Sequence, residues 1–330
     1  MPGLLSHYLC GDEMIKILDN PKLKDIILEH RQVFNIGTQG SDIFFYYIPS
    51  LRTRHNGLRK IGNTIHESNV TPFFQNAIDY LMDVKVMNMK GKGDLKELIT
   101  AYICGYACHY SLDSNTHPYI FYRTGFIRPN EPYNPKYTCY HRDFETTLDF
   151  IMLDRLWHKK PSQINPYSLI WIKDHEAYDI GKMYQHILKN IFSIEIAEKQ
   201  IVKSAKDMIR VQRALKDSLG IKKRLFKKIP SISNMIYPLK IDNNLDYLNL
   251  KGDIWCNPCD NSLVYKSSFI DMFDKAVKDS LNICTKLFND IYHKENLLQR
   301  EDYIGNRSFS TGLDSTLPLE LKYFKCIYEE

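Results

Sequence analysis

The stretch His109-Tyr-Ser-Leu-Asp113-Ser-Asn-Thr-His117 places three side chains that can bind metal at four-residue steps. A second stretch, His141-Arg-Asp-Phe-Glu145, repeats the step with a histidine and a glutamate. On an α-helix a four-residue step turns about 40° past a full revolution and rises about 6 Å, so such side chains project from one face. Imidazole and carboxylate groups without thiolate are typical ligands of a zinc centre that keeps open positions for water. The two stretches therefore predict helices that carry a metal site.

Apolar residues recur at three- and four-residue steps around these stretches and through most of the chain, whereas sustained alternation of apolar and polar residues is hard to find. The pattern predicts helices over Tyr8–Leu18, Leu23–Phe34, Phe73–Val84, Leu95–Leu112, Phe144–Leu156, Ile180–Phe192, Ile196–Leu219 and Phe269–Tyr292. Pro118 biases the residue before it away from helical geometry, so we expect a helix end near Asp113–Asn115 with His117 in the turn beyond. The sequence thus predicts an all-α protein.

The length and composition are those of a globular protein with a substantial core. The chain has 330 residues, of which 44% are hydrophobic and 25% charged. We expect a helical, metal-binding catalytic core over residues 1–200. A C-terminal helical extension over residues 201–330 would pack on this core, or the two would form one continuous domain.

The beginning of the chain bears on its location in the cell. Met1-Pro2-Gly-Leu-Leu-Ser-His7 has no basic region and only a very short apolar run, so we expect neither a signal peptide nor a membrane anchor. The eight cysteines are scattered along a chain too long to need disulfides. The sequence therefore predicts a cytoplasmic protein with free thiols.

The charge of the chain gives weak information about partners. The formal net charge of +5 is too small to indicate nucleic acid, and no specific nucleic-acid partner is expected. Residues 220–230 alternate lysine and arginine with apolar residues. We interpret this segment as a solvated turn between helices, and the alternative is peripheral contact with an anionic membrane, where each basic residue near the headgroups contributes about 1 kcal/mol. The sequence does not predict the oligomeric state.

Further candidate ligands lie outside the two opening stretches. His7 stands near the start, Asp42 follows Gln39-Gly-Ser, and His66 ends Gly62-Asn-Thr-Ile-His66. Each alone is commonly structural, and an aspartate after Gly-Ser is usually a helix N-cap. The set in chain order is His7, Asp42, His66, His109, Asp113, His117, His141 and Glu145.

This ordered set resembles the trinuclear zinc site of the bacterial zinc-dependent phospholipase C family, whose all-α fold is shared with the zinc-dependent single-strand nucleases. The similarity spans about residues 2–157, and the chain beyond residue 160 carries no metal motif. For the fold, the resemblance implies the multi-helical phospholipase C and nuclease-like architecture with additional C-terminal helices.

The resemblance also implies a ligand set for up to three Zn²⁺ ions. One zinc would be held by Asp42, His66, His109 and Asp113, a second by Pro2, His7 and the bridging Asp113, and a third by His117, His141 and Glu145. In the family the first residue of the mature chain binds zinc through its α-amino nitrogen and its carbonyl oxygen. Removal of Met1 would give Pro2 this role, although the usual family residue is tryptophan.

The chemistry implied by the resemblance is phosphodiester hydrolysis, in which metal-bound hydroxide attacks the phosphorus of a phospholipid-like substrate. Asp42 would also orient or deprotonate the attacking water. One alternative is a single-strand nuclease or nucleotidase on the same trinuclear site, which would need stacking platforms and a basic groove that the sequence does not show. The other is a non-catalytic, metal-stabilised membrane-binding module.

Some neighbouring residues have two interpretations. Asp143 and Asp149 are either acceptors for histidine N–H groups or solvated side chains. The aromatic runs Phe44–Tyr47 and Tyr119–Tyr122 either pack in the core, as aromatic runs in helices usually do, or wall a cleft beside the metals.

Overall fold

A computed structural model describes residues 3–49, 57–83, 92–128, 131–132, 134–294 and 303–329. Helices dominate these residues, which confirms the predicted all-α fold. The first part contains α1 (Leu4–Lys16), α2 (Pro21–Glu29), α3 (Arg31–Gly37), a 3₁₀ helix (Gly40–Tyr46), α4 (Gly57–Glu67), α5 (Val70–Met82), α6 (Lys92–Thr124) and α7 (Pro135–Trp157).

The remainder of the described chain mixes helices with irregular segments. It contains a short 3₁₀ helix (Pro161–Gln163), α8 (Pro166–Leu169), α9 (Asp174–Phe192), α10 (Glu198–Leu215), α11 (Ile221–Leu225), α12 (Pro230–Ser233), β1 (Trp255–Cys256), β2 (Val264–Tyr265) and α13 (Phe269–His293). The two strands pair antiparallel, with Trp255 opposite Tyr265. Helix α13 packs along α6. The division of the chain near residue 200 stays a prediction.

Several helices begin at side chains that satisfy their free N–H groups. Asn20 accepts a hydrogen bond from the Leu23 N–H at the start of α2, and Pro21 occupies the first helical position. Ser268 and Asp271 form a reciprocal capping box at the start of α13. These residue types are the preferred start signals of helices, so both helices begin at such a signal. The helix predicted over Leu23–Phe34 is divided into α2 and α3, which meet at His30.

Helix α6 carries three candidate ligands and is longer than the sequence predicted. It continues through Pro118 to Thr124, so the expected end near Asp113–Asn115 is wrong. His117 therefore projects from the helix itself and not from a turn beyond it. His117 follows His109 by two four-residue steps, so both rings lie along one face of α6.

Tertiary packing explains why α6 does not end before its proline. Pro118 lacks the N–H that would bind the Ser114 carbonyl. Gly312 packs against this carbonyl so closely that a Cβ atom there would lie 2.5 Å from the oxygen. Beyond the proline, Tyr119 and Ile120 are fully buried. Burial of these side chains outweighs the local bias against helix before a proline.

Helices α3 and α6 cross with their backbones almost in contact. A Cβ atom on Gly37 would overlap with the Tyr102 carbonyl oxygen, and one on Gly105 would overlap with the Phe34 carbonyl oxygen. Glycine is the residue that permits such a close approach. The crossing brings the 3₁₀ helix after α3, with Asp42, against the ligand-bearing face of α6.

Helix α1 is anchored by Asp149 of α7. Gly3, at its N-cap position, provides no side chain to bind the first N–H groups. Asp149 accepts hydrogen bonds from the Leu5 N–H at 2.9 Å, the Ser6 N–H at 2.7 Å, the Ser6 hydroxyl at 2.6 Å and the Tyr237 hydroxyl at 3.0 Å. A negative charge at a helix N-terminus is favourable. Asp149 thereby fixes α1 and the candidate ligand it carries.

Among the described residues, every helix is too short or too polar to traverse a lipid bilayer.

We predict that Asp149→Ala lowers the free energy of unfolding by about 2–4 kcal/mol, because several buried donors lose a charged acceptor. Urea unfolding followed by circular dichroism, with chelator present so that bound metal adds no stability, measures the change. Asp274→Ala, at an exposed position on α13, is the control and should change the value by less than about 0.5 kcal/mol. Equal stability of the two variants would contradict the anchoring role.

Candidate metal centre

The described candidate ligands lie on different elements that meet around α6. They are His7 on α1, Asp42 on the 3₁₀ helix, His66 on α4, His109, Asp113 and His117 on α6, and His141 and Glu145 on α7. Pro2 lies outside the described residues, and its role as a ligand stays a prediction.

The ligand atoms of these residues form clusters in which all atoms lie within 4.8 Å of one another. Within the described residues the clusters are His7, His109 and Asp113 (the inner cluster), Asp42, His66 and His109 (the middle cluster), and His117, His141 and Glu145 (the outer cluster). His109 belongs to both the inner and the middle cluster, so these two are contiguous. The outer cluster has the three residues that the resemblance implied for one zinc, whereas His109 groups with His7 as well as with Asp42 and His66, and Asp113 groups only with His7 and His109. The assignment of each ligand to a zinc ion stays a prediction.

Asp113 occupies the centre of the inner and middle clusters. Its Oδ1 atom lies 3.2 Å from His7 Nε2, and its Oδ2 atom lies 3.4 Å from His109 Nε2 and 3.9 Å from His66 Nε2. The carboxylate is fully buried. Because its two oxygens face different imidazoles, Asp113 has the geometry of a ligand that bridges two cations.

Asp42 and His66 complete the middle cluster. Asp42 Oδ1 lies 3.1 Å from His66 Nε2 and 3.6 Å from His109 Nε2. The backbone turns sharply before Asp42 at Gly40, whose φ is +51°, and a Cβ atom there would overlap with the His109 ring. A glycine is thus required both for the left-handed backbone and for the space that the imidazole fills.

The outer cluster joins α6 to α7. Glu145 Oε1 lies 2.8 Å from His141 Nε2 and 3.9 Å from His117 Nε2. His117 Nδ1 lies 3.7 Å from Asp113 Oδ1, which connects the outer cluster to the inner one. His141 and Glu145 are 16% and 12% exposed, so this cluster is more accessible than the fully buried Asp113.

Backbone carbonyls orient two of the imidazoles. His66 Nδ1 donates to the Gly62 carbonyl oxygen at 2.6 Å, and His117 Nδ1 donates to the Phe309 carbonyl oxygen at 2.8 Å. A carbonyl oxygen accepts only, so in each ring the proton is on Nδ1. The Nε2 lone pair of each neutral ring is then available to a cation, as in most histidine metal sites.

The residues of the clusters fit a divalent cation. Buried atoms without a hydrogen-bond partner among the described residues include His7 Nε2, His109 Nε2, His117 Nε2, Asp42 Oδ1 and both carboxylate oxygens of Asp113. The distances between these atoms are short, but the atoms are not oriented to form hydrogen bonds with one another. Since buried polar atoms are nearly always satisfied, their convergence in three small groups indicates that cations complete their coordination.

The protonation states of Asp113, His109 and His117 also suit metal binding. Burial alone would raise the pKa of the Asp113 carboxyl, but the surrounding imidazoles outweigh it and hold the pKa well below its usual range. Burial lowers the pKa of His109 well below its ordinary value and that of His117 to about 4. An ionised carboxylate and neutral imidazoles are the forms that bind zinc.

A family model described as zinc dependent phospholipase C matches residues 6–201, a range that contains all of the described candidate ligands. The chain belongs to the zinc-dependent phospholipase C family. This confirms the resemblance drawn from the ordered ligands. Searches of curated proteins and of solved structures found no match.

In this family member a cleft of about 680 Å³ reaches the outer cluster and part of the middle cluster. Asp42 and His66 line the cleft together with the whole outer cluster, whereas His7, His109 and Asp113 lie behind its wall. The cleft thus gives a substrate access to the outer and middle clusters.

In the aromatic runs Phe44–Tyr47 and Tyr119–Tyr122, some residues pack in the core and others wall the cleft. Phe45, Tyr46 and Phe121 line the cleft. Phe44 and Tyr119 are fully buried in the core. Consecutive helix positions point about 100–120° apart, so a single aromatic run supplies both core and cleft wall.

Asp143 and Asp149 accept hydrogen bonds from groups other than the candidate histidine ligands. Asp149 anchors α1, and Asp143 accepts from the Tyr328 hydroxyl at 3.0 Å. The Gly62 and Phe309 carbonyls, and not these aspartates, accept the hydrogen bonds from histidine N–H groups. The four-residue step from Glu145 to Asp149 was a signal that Asp149 shares the ligand face of α7, but Phe309 has no such signal.

We predict that Asp113→Asn loses the zinc of the inner and middle clusters together, because the amide cannot offer two anionic oxygens to two cations. The outer cluster should keep its zinc. Zinc content is measured by mass spectrometry of the metal after equilibration and gel filtration.

Asp25→Asn, at an exposed position on α2, is the matched control and should retain the wild-type zinc content. Wild-type zinc content in Asp113→Asn would refute the bridging role.

Proposed function

We propose that this protein is a zinc-dependent phosphodiesterase of the phospholipase C type that hydrolyses a phospholipid-like substrate. The observation that carries the proposal is the convergence of histidine and carboxylate ligand atoms in three clusters, two of which contribute residues to the lining of one cleft. Membership of the zinc-dependent phospholipase C family supports the metal and the reaction class.

The residues that would hold zinc are those of the inner, middle and outer clusters, with His109 common to the first two and Asp113 placed between them. Zinc bound there would lower the pKa of a coordinated water toward about 7 and would draw charge from the phosphoryl oxygens. The protein contributes the fixed positions of the ligands, because α6 and α7 carry the whole outer cluster and α6 also carries His109 and Asp113 on a rigid helix.

Asp42 is the residue that we assign to the attacking water. It lines the cleft beside His66, while its Oδ1 atom also faces His109. Burial raises the pKa of Asp42 above the ordinary aspartate value, and its histidine partner His66 opposes this shift. A carboxylate that also binds metal is a weak base, so its contribution is to orient the water toward phosphorus.

The remaining walls of the cleft suit an amphipathic phosphodiester. Arg59 and Arg142 line it and place positive charge near an anionic phosphate. Phe45, Phe121 and Phe126 provide apolar surface for the glycerol and the first part of the acyl chains. This combination supports a phospholipid as the substrate class.

Paired assays test the proposal. We expect hydrolysis of a chromogenic phosphocholine ester and of phosphatidylcholine, loss of both activities with chelator, and recovery with zinc. Single-stranded DNA is the comparison substrate and should be hydrolysed far more slowly. Faster cleavage of DNA, or no hydrolysis of either ester by the zinc-loaded protein, would overturn the proposal.

Removal of an outer-cluster ligand should affect chemistry strongly. His141→Ala should lower kcat on the chromogenic ester by about 100-fold or more, because it removes a metal ligand at the reacting phosphate. His175→Ala replaces an exposed histidine on α9 and should leave kcat unchanged. If both variants had wild-type kcat, the outer cluster would have no part in the reaction.

A further inference from the structure

Residues 218–241, here called the basic rim segment, concentrate the positive charge of the chain. The segment has six lysines and arginines and no aspartate or glutamate. The rest of the chain then has 38 basic residues against 39 acidic ones, a net charge of −1. The net positive charge of the protein therefore comes from this one segment.

The same segment exposes large apolar side chains. Leu219 is 77% exposed, Ile221 61% and Leu225 73%. Ile229, Ile232 and Leu239 are also exposed. Single exposed apolar residues are ordinary, but a run of them within one short segment marks an interaction surface.

Within the part of the chain that the structure describes, the outward-facing cations of the segment form no ion pair with an acidic side chain. Arg224, Lys227 and Lys228 are exposed, and the described residues contain no ion pair that includes any of them. Two other cations of the segment are used internally, since Lys222 donates to the Ala214 carbonyl at 2.6 Å and Lys223 donates to the Ser233 and Ile236 carbonyls at 2.7 and 2.9 Å. The outward charges are thus available to an anionic partner.

The basic rim segment is fixed to the edge of the cleft. Asn234, Met235 and Tyr237 line the cleft. Asn234 donates to the Cys139 carbonyl at 3.0 Å, and Arg142 donates to the Ser231 carbonyl at 3.3 Å. These bonds join the segment to α7, the helix that carries part of the outer cluster. One side of the segment therefore faces the cleft while the other faces solvent.

We propose that the basic rim segment docks this protein on a bilayer that carries anionic lipid headgroups. Leu219, Ile221 and Leu225 would enter the interface between headgroups and acyl chains, while Arg224, Lys227 and Lys228 contact phosphate and carboxylate groups. This surface serves the proposed phospholipase function, on which its purpose rests, by placing the cleft edge at the membrane where a phospholipid can enter. The charge favours an anionic bilayer over a second copy of this basic surface.

Vesicle flotation tests the docking directly. The zinc-loaded protein should bind vesicles of phosphatidylcholine with phosphatidylserine more strongly than vesicles of phosphatidylcholine alone. The charge variant Arg224→Glu/Lys227→Glu/Lys228→Glu should weaken binding to the mixed vesicles by at least ~10-fold. The apolar variant Leu219→Ser/Leu225→Ser should weaken it by ~10-fold as well.

Matched controls make the same chemical changes elsewhere. Lys199→Glu/Lys251→Glu/Lys278→Glu alters the same charge at other exposed positions, and Leu250→Ser/Ile254→Ser alters apolar residues that are 67% and 61% exposed. Both controls should bind mixed vesicles as the wild type does. Equal weakening in controls and rim variants would overturn the docking site.

Two further outcomes would overturn the proposal. The first is absence of wild-type binding to mixed vesicles. The second is a dimer in sedimentation velocity that the apolar variant dissociates, which would show that a second copy covers the surface.

Hydrolysis of a soluble chromogenic phosphocholine ester separates docking from catalysis. The rim variants should keep wild-type rates on it. If the wild-type protein floats with mixed vesicles but hydrolyses no ester, the docking proposal stands and the proposed function is wrong. If it hydrolyses the ester but does not float with mixed vesicles, only the docking proposal is wrong.

Discussion

A carboxylate that is buried away from water needs compensating positive charge or hydrogen-bond donors. Asp113 is fully buried, and within the described residues neither of its oxygens has a hydrogen bond. Its neighbours are imidazoles, and in a neutral ring that carries its proton on Nδ1 the Nε2 atom is an acceptor. A cation satisfies an anionic oxygen and a neutral imidazole at the same time. The arrangement of the surrounding helices follows from the need to gather these groups around Asp113.

The fold meets this need through a few close contacts. Gly37 and Gly105 allow α3 to cross α6 with its backbone in contact, and Gly40 leaves room for the His109 ring. Asp149 fixes the start of α1 and so the position of His7. At each point a larger or uncharged side chain would move a ligand away from Asp113. The positions that determine the metal centre thus include residues that cannot bind metal themselves.

Local spacing predicted most of the helices and the candidate ligands at four-residue steps on α6 and α7, whereas His7, Asp42 and His66 became candidates only through the resemblance of the ordered set. A four-residue step places His109 and Asp113 on one face of α6, and the apolar periodicity marks the helix around them. It did not predict that α6 continues past Pro118, because the burial that maintains the helix there is tertiary. Nor did it predict the bond from His117 to the Phe309 carbonyl, which joins positions 192 residues apart.

The most direct measurement of the central claim is anomalous diffraction at the zinc absorption edge from crystals grown with zinc. The account predicts peaks at the inner, middle and outer clusters, each about 2.0–2.2 Å from imidazole nitrogens and carboxylate oxygens. It also predicts that Asp113 contacts two of these peaks. Zinc bound only elsewhere, with His66, His109 and His141 facing separate regions of the protein, would contradict it.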